Sequence, residues 1–149
     1  MPSSGMTVTL RSNRIPLLLG VLVPRTHTAV LDTANEIQDR ANVLAPVDTG
    51  ALRESIYVSS PDGSDYPQRS GSAQARNPDA IIVPEVTSDF VISFAATNPT
   101  FRAVVGSAVN YSLFQELGTR FMPPQSFMLP AIEVSADAFT DRMSHIADL

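Results

Sequence analysis

No cysteine, lysine or tryptophan occurs in this 149-residue chain. The missing cysteines exclude a disulfide framework, a thiolate metal site and a cysteine nucleophile. Only two histidines are present, His27 and His145, and neither belongs to a spaced set of His, Cys or carboxylate ligands of the kind a metal needs. His27 is read as the start of a helix and His145 as lying on a solvated helix end. The seven glycines are scattered. Gly106 alone closely follows a clear strand, so no Gly-rich phosphate loop is available. No G-x-S-x-G elbow holds a serine nucleophile in a strained turn. Neither an enzymatic activity nor a cofactor is expected.

Long apolar runs are also lacking. The longest, Pro16 to Pro24 (PLLLGVLVP), falls short of the roughly 20 residues that span a bilayer. Arg11 and Arg14 precede it as in a signal peptide, but no small-residue cleavage pattern follows Pro24. A soluble, intracellular protein without a membrane partner is expected. Positive charge is scarce too: ten basic residues, all Arg, stand against 15 acidic ones, a formal charge of −5. Non-specific nucleic-acid binding needs a positive surface to displace counterions from phosphates, and the balance speaks against it. What is present, 44% hydrophobic and 17% charged residues, fits one globular domain spanning residues 1–149. A domain of this size buries about 68–70% of the surface its unfolded chain exposes.

Met6 to Arg11 alternates as a short strand. From Thr28 to Leu44 the residues Val30, Ala34, Ile37, Ala41 and Leu44 fall on one stripe of a helix. Asp32, Glu36 and Asp39 lie off the stripe, and Arg40 follows Glu36 at the i,i+4 spacing. Pro46 stops this helix. Ala51 to Ser59 reads as a strand ending at the Ser60-Pro61-Asp62-Gly63 turn. Residues 61–78, rich in Ser, Gly, Pro, Asp, Gln and Arg, form a flexible loop, either an assembly arm or plain disorder. Ile81 to Val86 and Phe90 to Ala95 read as strands. Asn98-Pro99 marks a turn, after which Phe101 to Val105 returns as a partner strand. Tyr111 to Leu117 is a short helix closed by Gly118, and Pro130 opens a last helix whose stripe is Ile132, Ala136, Phe139, Met143 and Ile146. The class is α+β: a mainly antiparallel sheet with a long helix and a C-terminal helix packed on one face.

Two stretches stand out. In the first, Ala45 to Ile56, a proline stop, an Asp able to bond nearby backbone N–H groups and a Gly free to adopt positive φ make a tight turn. Arg53 there points opposite to Leu52. In the second, Gly106 to Ala131, Tyr111, Phe114 and Leu117 supply the buried side of a helical turn, and Glu116 precedes a Gly-Thr-Arg loop rich in backbone donors. Turn chemistry and core packing account for both stretches without a ligand.

In this order the two stretches resemble the head-to-tail joining proteins of long-tailed, lambda-type phages, also called neck or tail-completion proteins. The motifs are A-P-x-D-T-G-x-L-R-x-S-I, V-V-G-S, N-Y-x-x-F-x-E-x-G-T and P-x-S-F-M-x-P-A. The matching positions are Pro46, Asp48, Thr49, Gly50, Leu52, Arg53, Ser55 and Ile56, then Val105, Gly106, Tyr111, Phe114, Glu116, Gly118, Thr119, Phe127, Pro130 and Ala131. The resemblance runs from Thr28 to about Met143. It implies a structural virion protein of the neck, assembled in the host cytoplasm as a homo-oligomeric ring, a hexamer or a dodecamer. Other neck and tail proteins would be its partners, and DNA would pass through the ring without sequence-specific binding. Arg53, Glu116 and Arg120 are candidates for the subunit interface, against the plainer reading in which they are solvated or paired within the chain. Alternatives are a tail terminator capping the tail tube and, further off, a DNA-binding accessory protein or a hydrolase.

Overall fold

The computed structural model describes residues 15–48, 50–66, 79, 81–83, 85 and 101–147. Helix α1 covers Ile15–Leu44, α2 Ala51–Glu54, strand β1 Ile56–Ser60, β2 Gly63–Ser64 and β3 Val104–Ser107. Helix α3 covers Ser112–Leu117 and α4 Met128–Ala147. The three strands form an antiparallel sheet in the order β2-β1-β3. Helix α1 lies against β1 and β3 and runs along α4. This is the α+β arrangement read from the sequence, with α4 packed chiefly on α1.

Helix α1 ends at Leu44 as Pro46 requires, but it starts at Ile15 rather than near Thr28. The apolar period breaks across Gly20 and Pro24, which hides the extension. The helix nonetheless passes through Pro24, where one backbone hydrogen bond is forfeited. The hydroxyls of Thr26 and Thr28 donate to the carbonyls of Leu22 and Pro24 at 2.9 and 3.0 Å. His27 therefore sits inside α1 instead of starting it. Its Nε2 lies 2.7 Å from the Asp62 carboxylate at the hairpin turn.

The sequence reading of a strand over Ala51 to Ser59 is corrected at its start. Ala51-Leu52-Arg53-Glu54 are helix formers following a glycine turn and make α2; strand geometry begins at the β-branched and aromatic run Ile56-Tyr57-Val58. The first residues of the expected 61–78 loop are paired instead. Pro61 and Asp62 form a hairpin turn, after which Gly63 and Ser64 pair with Ser60 and Ser59. Asp65 then accepts hydrogen bonds from the Val58 N–H and from Gln38 Nε2 of α1. The rest of that loop, the 6–11 and 90–95 strands and the Asn98-Pro99 turn lie outside the described residues.

Of the Ile81 to Val86 strand, the described part is a single bridge, Ile82 opposite Val109. The returning strand is Val104–Ser107 rather than 101–105, and its partner is β1, with Tyr57 opposite Gly106. Non-local pairing of this kind leaves no trace in local patterning.

The core joins Ala41, Ala45, Ala51, Leu52, Ile56, Val109, Phe127 and Ala131. Small side chains at Ala41, Ala45 and Ala131 fit where the helices approach each other. Two predicted stripes are shifted. Leu44 is 47% exposed while Ala45 is buried. In α4 the buried positions are Ala131 and Ser135, leaving Ile132 exposed at 44% and Ala136 exposed as well. The largest hydrophobic side chain at each end faces solvent and the small neighbour faces the contact. Close helix approach selects by size as well as polarity. Glu36 links the helices: Arg40 donates to Oε1 at 2.8 Å and Arg142 of α4 to Oε2 at 2.7 Å. These two guanidiniums hold the Glu36 carboxyl below its ordinary value.

Candidate functional site

The first stretch turns the chain twice. Ala45 closes α1 through its N–H to the Ala41 carbonyl, and Gly50, at φ 82°, opens α2 without a side-chain cap. A left-handed φ is what glycine tolerates without cost. Leu52 enters the core and Arg53 faces solvent, as the sequence predicts. Asp48 departs from expectation: its exposed carboxylate accepts no hydrogen bond among the described residues. Thr49 lies outside them. Ser55 is fully buried; its hydroxyl donates to the Leu52 carbonyl at 2.6 Å and lies 2.8 Å from the Ser107 hydroxyl. The Ala108 N–H donates to the Ser55 carbonyl at 2.8 Å. At Ser55 the two stretches, distant along the chain, are bonded together.

The second stretch is organised by Glu116. Its Oε2 accepts the N–H groups of Phe127 and Met128 at 2.9 and 3.0 Å, and Oε1 accepts that of Leu129 at 2.9 Å. Those donors stand at the N-terminus of α4, where N–H groups lack helical partners and the helix dipole favours an anion. Partial burial raises the carboxyl's pKa; the three donors outweigh it and hold the group below its ordinary value. Glu116, a candidate for the subunit interface, is thus engaged by hydrogen bonds within its own chain. Ser126 Oγ and the Gln125 N–H donate to the carbonyls of Glu116 and Gln115 at 2.9 and 2.8 Å. Gly118, at φ 73°, releases the chain into a tight turn in which Thr119 and Met122 exchange backbone hydrogen bonds. Pro130 lies in the first turn of α4, and Phe127, just before it, is buried in the core.

The two stretches line one cleft of about 460 Å³, walled by Pro46, Val47, Asp48, Gly50 and Leu52 on one side and Tyr111, Phe114, Gln115, Met122 and Gln125 on the other. The buried Gln115 Oε1 has no hydrogen-bond partner among the described residues. The expected buried side of α3 is not buried: Phe114 is 52% and Leu117 69% exposed, and only Tyr111 packs against the core. Helical spacing identifies a coherent face but not what covers it.

Gly106 belongs to the sheet instead of the cleft, opposite Tyr57. Arg53 and Arg120 are exposed, and neither forms an ion pair with Glu116. The Arg120 guanidinium instead stands 4.9 Å from the Phe121 ring centroid. Phe121, which the sequence reading passed over, is 87% exposed at the tip of the Thr119–Met122 turn. Also missed was an apolar groove between α1 and α4 lined by Val43, Leu44, Pro130, Ala131 and Val134, with Asp39 and Arg40 at its side. The sequence signals are Val43 and Val134, apolar residues off their helical stripes, and Phe121, an aromatic residue in a turn.

The cleft offers apolar and aromatic walls, amides and one carboxylate. Among the described residues no three His, Cys, Asp or Glu side chains lie close enough to hold a metal ion. Nor is any helix among them long and apolar enough to cross a membrane. Comparison with family models, curated proteins and solved structures finds no match for this chain.

Proposed function

We propose that this chain is a structural subunit of a phage neck, assembling as a ring that joins the DNA-filled head to the tail and leaves a passage for DNA. One observation carries the reading. The two stretches that resemble the neck proteins, far apart in sequence, are bonded at Ser55 and Ser107 and wall a common cleft, and between them they present Val47, Leu113, Phe114, Leu117 and Phe121 to solvent. Apolar exposure on this scale marks a surface that is covered in use. The acidic chain favours a conduit to which DNA phosphates do not adhere.

The test is disruption of the gene in the phage that carries it. Full heads and complete tails that fail to join, visible by electron microscopy, are the expected result. Normally joined, infectious particles overturn the proposal, and tails of irregular length assign the chain to the tail terminator instead.

A further inference from the structure

We infer that copies of this chain join head to tail, with the Arg120-Phe121 tip of one copy seated in the α1–α4 groove of the next. The inference rests on the assembly reading and names its contact. The knob is a single aromatic ring, 87% exposed, on a turn closed by the reciprocal Thr119 and Met122 bonds, so it is presented by rigid backbone. The groove, about 470 Å³, is walled by the exposed side chains of Val43, Leu44 and Val134 and is large enough to take a phenyl ring.

Charge argues for a second copy as the occupant. Arg120 lies over the Phe121 ring, so a ring entering the groove carries a positive charge to its rim. There Asp39 is exposed and without an ion pair among the described residues, whereas the neighbouring Arg40 is already held by Glu36. The first fourteen residues of α4, the other wall, contain Glu133, Asp137 and Asp141 and no basic residue. Knob and groove share no residue, so each copy that gives its knob keeps a free groove. Such a heterologous contact closes into a ring or continues as a filament.

The experiment follows the mass of the purified protein by sedimentation across a concentration series, with circular dichroism as the control for folding. Wild type is expected to grow from monomer to larger species. F121S removes a central aromatic anchor and raises the half-association concentration by roughly 30-fold or more. R120E weakens association, and adding D39R to R120E restores it. A photo-crosslinking residue at Val134 is expected to capture residues 119–122 of another copy. The inference is overturned by a wild type that stays monomeric throughout, by F121S assembling like wild type, by D39R failing to rescue R120E, or by a crosslink from Val134 to its own chain. None of these outcomes alters the gene-disruption result, so loss of this contact and loss of the neck role are separable.

Discussion

Tyr57 lies face to face with Gly106 across the β1–β3 pair, so close that a Cβ on Gly106 would stand 2.9 Å from both Cζ and Oη of the tyrosine. The Tyr57 ring cannot yield, because it is buried to 1% exposure and stacked edge-on at 5.0 Å against Tyr66. Tyr66 in turn donates its hydroxyl to the Val83 carbonyl at 2.6 Å. The glycine of the V-V-G-S motif thus has a packing role. G106A is expected to cost about 1–3 kcal/mol by overpacking, read as a lower urea midpoint with unchanged slope. Wild-type stability in G106A would show that β3 can shift away from the ring.

Glu116 makes acid stability measurable. Its folded pKa lies below the ordinary 4.5, so its contribution is complete above that value and is lost as pH falls through the lower folded one. E116Q keeps the shape but loses the charge at the α4 terminus. It is expected to be less stable than wild type at neutral pH by about 0.5–2 kcal/mol, with the gap narrowing below pH 4.5. Urea unfolding at several pH values checks this. A gap independent of pH would mean that shape alone, and not charge, sets the cap.

Glu36 titrates in the same direction, held down by Arg40 and Arg142. Its side chain is 21% and that of Arg142 35% exposed, so solvent weakens the pair. An E36Q/R142Q double-mutant cycle is expected to return a coupling of under about 1 kcal/mol. A coupling several times larger would make this clasp, and not the alanine contacts, the chief tie between α1 and α4.

What the sequence revealed of this fold follows the range of the interaction involved. Pro46 and Gly50 act on their own dihedrals, and both turns were legible. Val30, Ala34, Ile37 and Ala41 showed α1 because helical period is local, though Pro24 hid its first half. The pairing of β1 with β3 depends on contacts between residues distant in sequence, so the strand at Val104 was legible and its pairing with β1 was not. Glu116 was singled out by its place in a motif, yet its task as a cap on Phe127, Met128 and Leu129 needed the third dimension. Phe114 and Leu117 were read as buried because spacing reports amphipathicity and says nothing of whether the cover belongs to the same chain.

Ser135 is fully buried in α4, and its hydroxyl has no hydrogen-bond partner among the described residues. A hydroxyl withdrawn from water and left unpaired costs roughly 1–3 kcal/mol, and alanine is also the better helix former. S135A is therefore expected to stabilise the fold by about 0.5–2 kcal/mol, visible as a raised melting temperature. Destabilisation would reveal a partner, such as a buried water, satisfying the hydroxyl.

Gly50 and Gly118 both have positive φ, at 82° and 73°, but substitution should separate them. Gly50 has ψ near −4°, the left-handed helical region, where a non-glycine residue costs about 1–2 kcal/mol. Gly118 has ψ 178°, a region essentially confined to glycine. A Cβ there would also stand 2.7 Å from the Pro124 nitrogen and 2.9 Å from the Met122 oxygen, both backbone atoms. G118A is expected to cost about 3 kcal/mol or more, exceeding G50A in the same urea series. It should also free the turn that carries Phe121, since Met122 is both the obstacle to the new methyl group and the partner of Thr119. Equal losses in the two variants would show that the 118–124 segment relaxes readily, and the rigid presentation of Phe121 would fall with it.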